Sequence, residues 1–474
     1  MCGKSRAEAG HCKCFLMLFL SLLVVSKTVA QVTVQFQIEG LKLPHLFLGR
    51  YDAGEMYSVD SVGVDTLSGQ FQWSKPVLSA GLYFVGTDQE KLFDFLIISP
   101  KDAFMVKGRF TRLDSLTGVG SPENQAFFEF ERKRKAIENR VASRRTRYEM
   151  IQRATRNDPE ALRPVREEIQ KLVQEIDALG RTYQRQHPTH LYARMLRSIE
   201  PPDLPEKVRL SKDKQAALRW TQVHYFDHTN WQDSTLLCNN LWPVFFDNYF
   251  NRLVSPHPDS ILLAADRVLK KMPKHGLFYQ FAVVRLTRSF EQNEMPGSDR
   301  IFVHLVDHYQ KKDDTPWLDE ATLLRLEYKA NTHRLNLTGN PAPALTLPDE
   351  TGVILSLQDI QAPMTMLVFY SPLCSHCMEV MPDIYQTWLA YEKTGLKAVA
   401  INTDDQYEHW KKFVGQQNWQ WIDLADSTAK NAFENDYAAF NLPVIYLLDK
   451  DKKIIRKRVK PEKLGETLGK LVKY

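Results

Sequence analysis

Cys374 and Cys377, separated by two residues, form the sequence feature best suited to chemistry. They follow an apolar run from Met364 to Tyr370 that predicts a buried strand, and they precede a stretch with helical character. This context places both thiols in the first turn of a helix, close enough to form a disulfide. The unpaired N–H groups and the positive end of the helix dipole stabilise a thiolate there. We therefore predict that Cys374 is the attacking sulfur and that Cys377 resolves the mixed disulfide.

Other uses of a cysteine pair are less consistent with the sequence. A zinc site needs a second cysteine or histidine pair at matching spacing, and none is found. His304 and His308 lie one helical turn apart, but the Glu that follows the first His in a zinc-protease helix is missing. A c-type haem site needs a histidine after the second cysteine, where this chain has Met378. We expect no metal and no organic cofactor, and a purely structural disulfide stays as an alternative.

Two ionisable residues lie in or beside the cysteine pair. His376 lies between the cysteines, where a protonated imidazole would favour the Cys374 thiolate and shift the couple toward the oxidising side. Glu379, two residues after the second cysteine, is the nearest carboxylate and the candidate general acid or base.

Residues 1–30 have the pattern of a secretory signal. Basic residues up to Lys13 precede an apolar run from Phe15 to Val25, and a small-residue cleavage site ends at Ala30. The run is shorter than the ~20 residues needed to span a bilayer, so an uncleaved membrane anchor is the weaker alternative. We predict an exported protein of the periplasm or cell envelope, for which membrane contact is compatible but not required.

Once the signal is removed, three cysteines are left, which is too few for a disulfide scaffold. Cys238 is expected to be a buried packing residue. The chain of 474 residues is long enough for two or three domains, and its formal net charge of +5 indicates no nucleic-acid partner.

The chain divides into three regions after the signal, which predicts a multidomain fold. Residues 31–122 contain short alternating strands, which favours an antiparallel sheet or sandwich. Residues 123–335 are predicted to be helical and charged. Because no aromatic residues interleave with the charges, we interpret the basic clusters as a solvated helix face with charge pairs rather than a patch for nucleic acid or anionic lipid.

Residues 336–474 alternate strands and helices, which predicts an α/β sheet with crossover helices. The predicted strands are Met364–Tyr370, Lys397–Ile401, Trp419–Leu424 and Val444–Leu448. The predicted helices are residues 375–393, 405–416, 427–435 and 461–472.

The order of elements in this last region resembles thioredoxin, and more closely the exported TlpA/ResA-like branch. A strand leads to the cysteine pair, the following helix carries Pro382, and Leu442-Pro443 precedes a later apolar strand. The resemblance implies a thioredoxin-like fold in which Pro443 is cis and faces the active-site disulfide. It also implies that the backbone beside this proline, with Leu442, contacts the substrate chain.

The resemblance extends more weakly upstream. The β-rich start, which ends at residues 120–124 (Gly-Ser-Pro-Glu-Asn), resembles the N-terminal domain of many Bacteroidetes thiol-disulfide oxidoreductases, and residues 125–335 resemble their helical middle domain. Two positions depart from the family pattern. Many TlpA/ResA-like members have Glu three residues after the second cysteine, where this chain has Val380, and thioredoxin has a buried Asp where this chain has Val368. Either Glu379 substitutes for these groups, or water and the incoming thiolate suffice.

We therefore predict a thiol-disulfide oxidoreductase of the cell envelope that acts on protein thiols and disulfides. A redox partner must regenerate its cysteine pair. One alternative is a non-enzymatic envelope binding or scaffold protein, in which the first 335 residues do the work. Another is a thiol peroxidase, which would need a Pro-x-x-x-Thr/Ser-x-x-Cys loop, although position 367 is Leu.

Overall fold

The computed structural model describes residues 31–293, 295–426 and 435–472. The expected fold class is confirmed, because a β-rich region is followed by a helical region and by a mixed α/β domain. The predicted signal, residues 1–30, lies outside the described residues, as does most of the predicted helix at 427–435. Over the described ranges, no helix is both long enough and apolar enough to cross a membrane.

The N-terminal region consists of two four-stranded sheets that share one apolar core. Its strands are β1 (Val32–Glu39), β2 (His45–Asp52), β3 (Glu55–Gly63), β4 (Gln70–Lys75), β5 (Gly81–Gly86), β6 (Lys91–Ile97), β7 (Ala103–Arg109) and β8 (Arg112–Val119). One sheet has the order β4-β1-β7-β8 and the other β3-β2-β5-β6. Every second side chain of β1 is buried, as in a strand with one face in the core. Phe36 and Trp73 from the first sheet pack against Phe95 from the second.

One strand pairing differs from the expected antiparallel arrangement. β1 and β7 run parallel, with Val34 opposite Phe104, whereas the other pairs in these two sheets are antiparallel. Parallel neighbours need a long connection. The chain supplies it by forming β2 to β6 between the two strands.

The middle region is helical. Its helices are α1 (Pro122–Ala154), α2 (Pro159–Gln186), α3 (Leu191–Ser198), α4 (Glu206–Arg209), α5 (Ala216–His224), α6 (Leu241–Asn248), α7 (Pro258–Lys271), α8 (Leu277–Glu291), α9 (Ser298–Tyr309) and α10 (Glu320–Arg334). The Ser121 side chain caps α1 by accepting a hydrogen bond from the amide of Asn124. The Asn124 side chain accepts from the Leu96 amide at 2.8 Å and donates to the Leu96 carbonyl at 2.9 Å. Residues 121–124 therefore join the start of the helix to β6, an edge strand of its sheet.

α1 and α2 form a long antiparallel hairpin. Ile137 and Val141 on α1 form a small apolar cluster with Leu172 on α2. Arg140 pairs with Glu175 at 3.0 Å across the two helices. The expected charge pairs on a solvated face are thus present along part of this hairpin.

The C-terminal domain is built on a five-stranded mixed sheet. Its elements are β9 (Thr346–Pro348), β10 (Ile354–Ser356), β11 (Met364–Tyr370), α11 (Ser375–Glu392), β12 (Leu396–Asn402), α12 (Tyr407–Gln416), β13 (Ile422–Ala425), β14 (Val444–Asp449), β15 (Ile454–Lys457) and α13 (Leu464–Leu471). The sheet order is β13-β12-β11-β14-β15, and β9 pairs with β10 in a separate hairpin. β11, β12 and β13 are parallel, whereas β14 and β15 run antiparallel to their neighbours.

The predicted strand at Trp419–Leu424 begins later than expected, at Ile422. The rings of Trp419 and Trp421 pack against each other and against Tyr385 on α11. These aromatic residues belong to the core beside α11, so sheet pairing starts only after them.

A buried ion pair ties the outer strand of this sheet to the helical region. Lys457 on β15 lies 2.7 Å from Asp299 on α9, and the two side chains are 10% and 6% exposed. Lys457 also donates to the side-chain oxygen of Asn336 at 2.8 Å. Because loss of one partner would leave an uncompensated buried charge, this contact holds the two regions together.

Candidate active site

The cysteine pair lies where β11 gives way to α11. Ser371, the first residue after β11, accepts a hydrogen bond from the Leu373 amide through its hydroxyl oxygen and one from the Cys374 amide through its carbonyl. The Ser371 hydroxyl itself donates to Asp404 at 2.9 Å. These contacts form the short turn that delivers Cys374 to the N-cap position of α11.

The two sulfur atoms are in contact at the first turn of the helix. Cys374 Sγ accepts a hydrogen bond from the Cys377 amide at 3.1 Å, and the Cys377 thiol donates to the same sulfur at 2.6 Å. A disulfide bond is about 2.05 Å long, so bond formation requires little movement. The backbone amide and the helix dipole both favour negative charge on Cys374.

Exposure distinguishes the two cysteines. Cys374 is partly exposed, whereas Cys377, in the first turn of α11, is fully buried. Burial, followed by the hydrogen bond to Cys374, raises the pKa of the Cys377 thiol to about 12. Cys377 therefore keeps its proton at neutral pH, and Cys374 is the sulfur that an incoming group reaches first.

Leu442 and Pro443 lie beside the exposed sulfur. The peptide bond between them is cis, and the Leu442 carbonyl oxygen is 4.0 Å from Cys374 Sγ. Both residues are partly exposed, and Leu373, just before the first cysteine, is 56% exposed. The sulfur thus lies at the edge of a small accessible apolar surface formed by Leu373, Leu442 and Pro443.

His376 and Glu379 lie on the solvent side of α11. Their side chains are 62% and 80% exposed, and His376 Nδ1 is 3.9 Å from the Glu379 carboxylate. Among the described residues, no hydrogen bond joins either side chain to a sulfur atom. The structure thus brings the two residues near each other without placing the carboxylate against the thiols.

The remaining candidates for metal or thiol chemistry lie elsewhere. His304 Nε2 pairs with Asp266, and the ring of His308 stacks on His304. Where the structure describes the chain, no group of three or more His, Cys, Asp or Glu side chains could hold a metal ion. Cys238 is half-buried rather than fully buried as expected, because it lies at the junction with the β region near Gly81. Partial burial raises the pKa of its thiol.

Comparisons with known proteins bear on this domain. Residues 338–457 match the model of the AhpC/TSA family. The thiol-disulfide oxidoreductase ResA of Bacillus cereus is 26% identical over 135 residues, which cover 28% of this chain and 77% of that protein. ResA of Bacillus thuringiensis subsp. konkukian is 28% identical over 138 residues, or 28% of this chain and 76% of that protein.

Among solved structures, a domain of a possible thiol-disulfide isomerase from Cytophaga hutchinsonii is 35% identical. The match covers 28% of this chain and 92% of that domain, with a TM-score of 0.27. A thioredoxin-like protein from Bacteroides caccae is 18% identical over 57% of this chain and 97% of its own, with a TM-score of 0.33. These sequence matches support a TlpA/ResA-like protein of the thioredoxin superfamily. It is an oxidoreductase with a thioredoxin-like C-terminal domain.

This TlpA/ResA-like chain has a buried carboxyl at a position that the sequence did not single out. Val368, Ala400 and Asp423 lie side by side on β11, β12 and β13, and their side chains share one face of the sheet with Cys377. An aspartate at position 368 would lie beside the helix that carries the cysteines. The carboxyl of Asp423 lies two strands away in the same row, about 10 Å along the sheet.

Asp423 is held by aromatic hydrogen-bond donors. The Tyr370 hydroxyl donates to one carboxyl oxygen at 2.9 Å, and Trp421 Nε1 donates to the other at 2.8 Å. Trp410 Nε1 in turn donates to the Tyr370 hydroxyl. Burial raises the pKa of the Asp423 carboxyl to about 7. The sequence signal for this group is an acidic residue inside an otherwise apolar strand.

The raised pKa of Asp423 makes stability depend on pH. In the unfolded chain the carboxyl ionises near pH 3.8, but in the folded chain only near pH 7. The free energy of unfolding therefore decreases as pH rises through this window, by up to about 4 kcal/mol. We expect Asp423→Asn to remove this decrease. The free energy of unfolding of the variant should therefore rise relative to that of wild type between about pH 4 and about pH 8. Urea unfolding at both pH values measures the difference, and a difference independent of pH contradicts the assignment.

Proposed function

We propose that this protein exchanges thiols and disulfides of protein substrates through Cys374 and Cys377 in the cell envelope. The observation that carries the proposal is the sulfur arrangement at the N-terminus of α11. The partly exposed sulfur of Cys374 accepts a hydrogen bond from the Cys377 amide and lies 2.6 Å from the buried Cys377 sulfur. That geometry supplies one accessible nucleophile and one protected sulfur within bonding reach.

Atoms and electrons balance in the exchange between the two cysteines and one substrate disulfide. The Cys374 thiolate attacks one sulfur of a substrate disulfide, and the other substrate sulfur leaves as a thiolate. Cys377 then gives its proton to that departing thiolate or to water and attacks Cys374 Sγ. The mixed disulfide breaks, the second substrate sulfur leaves, and the cysteine pair is oxidised by two electrons. A separate dithiol partner must return those electrons before the next turnover.

The surface beside Cys374 suits an extended polypeptide. Leu373, just before the sulfur, is exposed, and the partly exposed Leu442 accepts a contact from the Cys374 thiol through its carbonyl at 4.0 Å. We assign Leu442 and Pro443 to substrate binding on this basis. We assign His376 and Glu379 to the polar surroundings of the cysteine pair, since His376 lies between the cysteines and its Nδ1 is 3.9 Å from the Glu379 carboxylate.

A test of the cysteine roles uses the reduction of insulin disulfides by dithiothreitol. We expect Cys374→Ser to lower the rate at least about a hundredfold, because a hydroxyl does not replace the thiolate. Cys377→Ser should instead accumulate a mixed disulfide, which is detected by mass spectrometry under non-reducing conditions. Cys238→Ser is the matched control and should leave the rate unchanged, since this residue lies outside the site.

Different outcomes of that experiment favour different functions. An inactive wild type whose cysteine pair does not respond to redox buffers would support a binding or scaffold protein. Rapid consumption of hydrogen peroxide that depends on Cys374 would support a peroxidase, although Leu367, which is buried within β11, lies where that loop would need its proline.

The roles of His376 and Glu379 are tested by the reduction potential of the cysteine pair. We expect His376→Pro to lower the potential by on the order of 30 mV, because the reduced thiolate loses a favourable charge. Proline is tolerated in the first turn of a helix, so the fold should persist. Glu379→Gln should change the potential by less than about 10 mV, because an exposed pair contributes little energy. A larger effect of Glu379→Gln would mean that its carboxylate acts directly on the thiols.

The envelope location is supported by the leader pattern of residues 1–30. We expect the full chain, expressed with its leader in a Gram-negative host, to reach the periplasmic fraction with a mature mass that begins at Gln31. Deletion of the apolar run should retain the uncleaved chain in the cytoplasm. Recovery of the chain with its leader uncleaved, from either the membrane or the periplasmic fraction, would contradict a cleaved signal.

A further inference from the structure

The free end of the α1–α2 hairpin has an unusual charge distribution. Residues 140–166, which we call the arginine tip, contain eight arginines, no lysine and three acidic residues. The tip therefore has a net charge of +5, which equals the formal net charge of the whole chain. Glu168 and Glu175 on α2 pair with three of these arginines, so the excess positive charge of the tip lies on the arginines that have no such partner.

The arginine tip projects away from the rest of the molecule. Arg132 on α1 still donates to the Asp114 carbonyl of the β region at 2.9 Å. From Arg132 to Ala154, where α1 ends, the helix extends by about 30 Å. Within the described part of the chain, the ion pairs and hydrogen bonds of the tip join residues of α1, α2 or the turn between them. The tip is therefore an outer surface of the protein.

Half of the arginines in the tip lack a protein partner. Four of them pair with glutamates on the hairpin: Arg140, Arg144, Arg147 and Arg163. Within the described ranges, no acidic side chain pairs with the other four, which are Arg145, Arg153, Arg156 and Arg166. A cluster of like charges repels itself, and a partner rich in anions relieves that repulsion. Guanidinium groups bind phosphate through two parallel hydrogen bonds, which makes phosphate a well-matched anion.

The shape of the tip favours an extended surface over a single bound ion. Its arginines are spread over two helices and the turn between them, so they do not converge on one point. Met150 lies among them and is 66% exposed. An apolar side chain surrounded by cations suits the headgroup region of a bilayer. Single-stranded nucleic acid would instead call for several stacking aromatic residues, and the tip contains only Tyr148.

The sequence alone favoured a solvated face with charge pairs, but such pairs account for only half of these arginines. We propose instead that the arginine tip docks this protein on an anionic phospholipid surface. The unpaired arginines bind lipid phosphates, and Met150 inserts among the headgroups. This docking is independent of the thiol chemistry proposed above. Each arginine near such a surface contributes about 1 kcal/mol, or about fivefold in affinity.

The test measures cosedimentation of the full mature chain with lipid vesicles. We expect binding to vesicles of phosphatidylglycerol and phosphatidylethanolamine, no binding to phosphatidylcholine vesicles, and weaker binding as salt rises. A quadruple change to Gln should weaken binding at least about a hundredfold. It replaces Arg145, Arg153, Arg156 and Arg166.

A matched control removes the same charge from the exposed surface of the C-terminal domain. It replaces Lys393, Lys397, Lys411 and Lys412 with Gln. This variant should bind the anionic vesicles within about threefold of wild type, since the tip is intact. Unchanged thermal unfolding and insulin reduction of the tip variant would show that the fold and the cysteine site persist.

Three results would overturn the proposal. The first is a wild type that ignores anionic vesicles or binds neutral ones equally well. The second is equal loss of binding in the tip variant and the control, which would indicate attraction by net charge alone. The third is tighter binding of the tip to single-stranded DNA than to the anionic vesicles, which would assign the surface to nucleic acid.

Discussion

The contact between the Cys377 amide and the Cys374 sulfur is the interaction on which the rest of the site depends. The first turn of any helix leaves backbone amides without partners, and a side chain usually satisfies one of them. Here a sulfur atom takes that role. The capping position lies at the surface and the following residues turn into the core. The Cys374 sulfur is therefore accessible to solvent, and the Cys377 sulfur is buried. The difference between the two thiols therefore follows from the helix geometry itself.

The apolar surroundings of the buried thiol constrain where its proton goes. Val368 lies on the sheet face beneath the helix, and Val380 lies on the helix, so neither position supplies a carboxylate. A carboxyl that does lie on that face, Asp423, accepts hydrogen bonds from Tyr370 and Trp421. Cys377 consequently has a high pKa and ionises only when a base arrives. A departing substrate thiolate is such a base, which would link resolution of the mixed disulfide to the presence of substrate.

Local patterns in the sequence were sufficient to predict those elements that depend on residues close together in the chain. Alternation predicts β1, apolar runs predict β11 and β14, and the cysteine spacing gives the first turn of α11. Features that join distant residues carry no such signal. Asp423 meets Tyr370 across 53 positions of the chain, and β1 pairs with β7 although five strands separate them in the sequence. Lys457 looks like one more residue of a basic stretch until the fold buries it against Asp299.

The ion pair at Lys457 lies at the edge of the sheet that carries the cysteines. Lys457 lies opposite Tyr446, two residues after the strand start that follows Pro443, so its contact with Asp299 is at the same end of the sheet as the cysteine pair. The backbone of β15 is also paired with the chain before β9, since the Gly339 amide donates to the Ile454 carbonyl and the Ile454 amide donates to the Asn340 carbonyl. An exposed sheet edge invites pairing with other chains, and these contacts limit it. This edge strand is therefore used for contacts within the chain, whereas Leu373 beside Cys374 stays exposed.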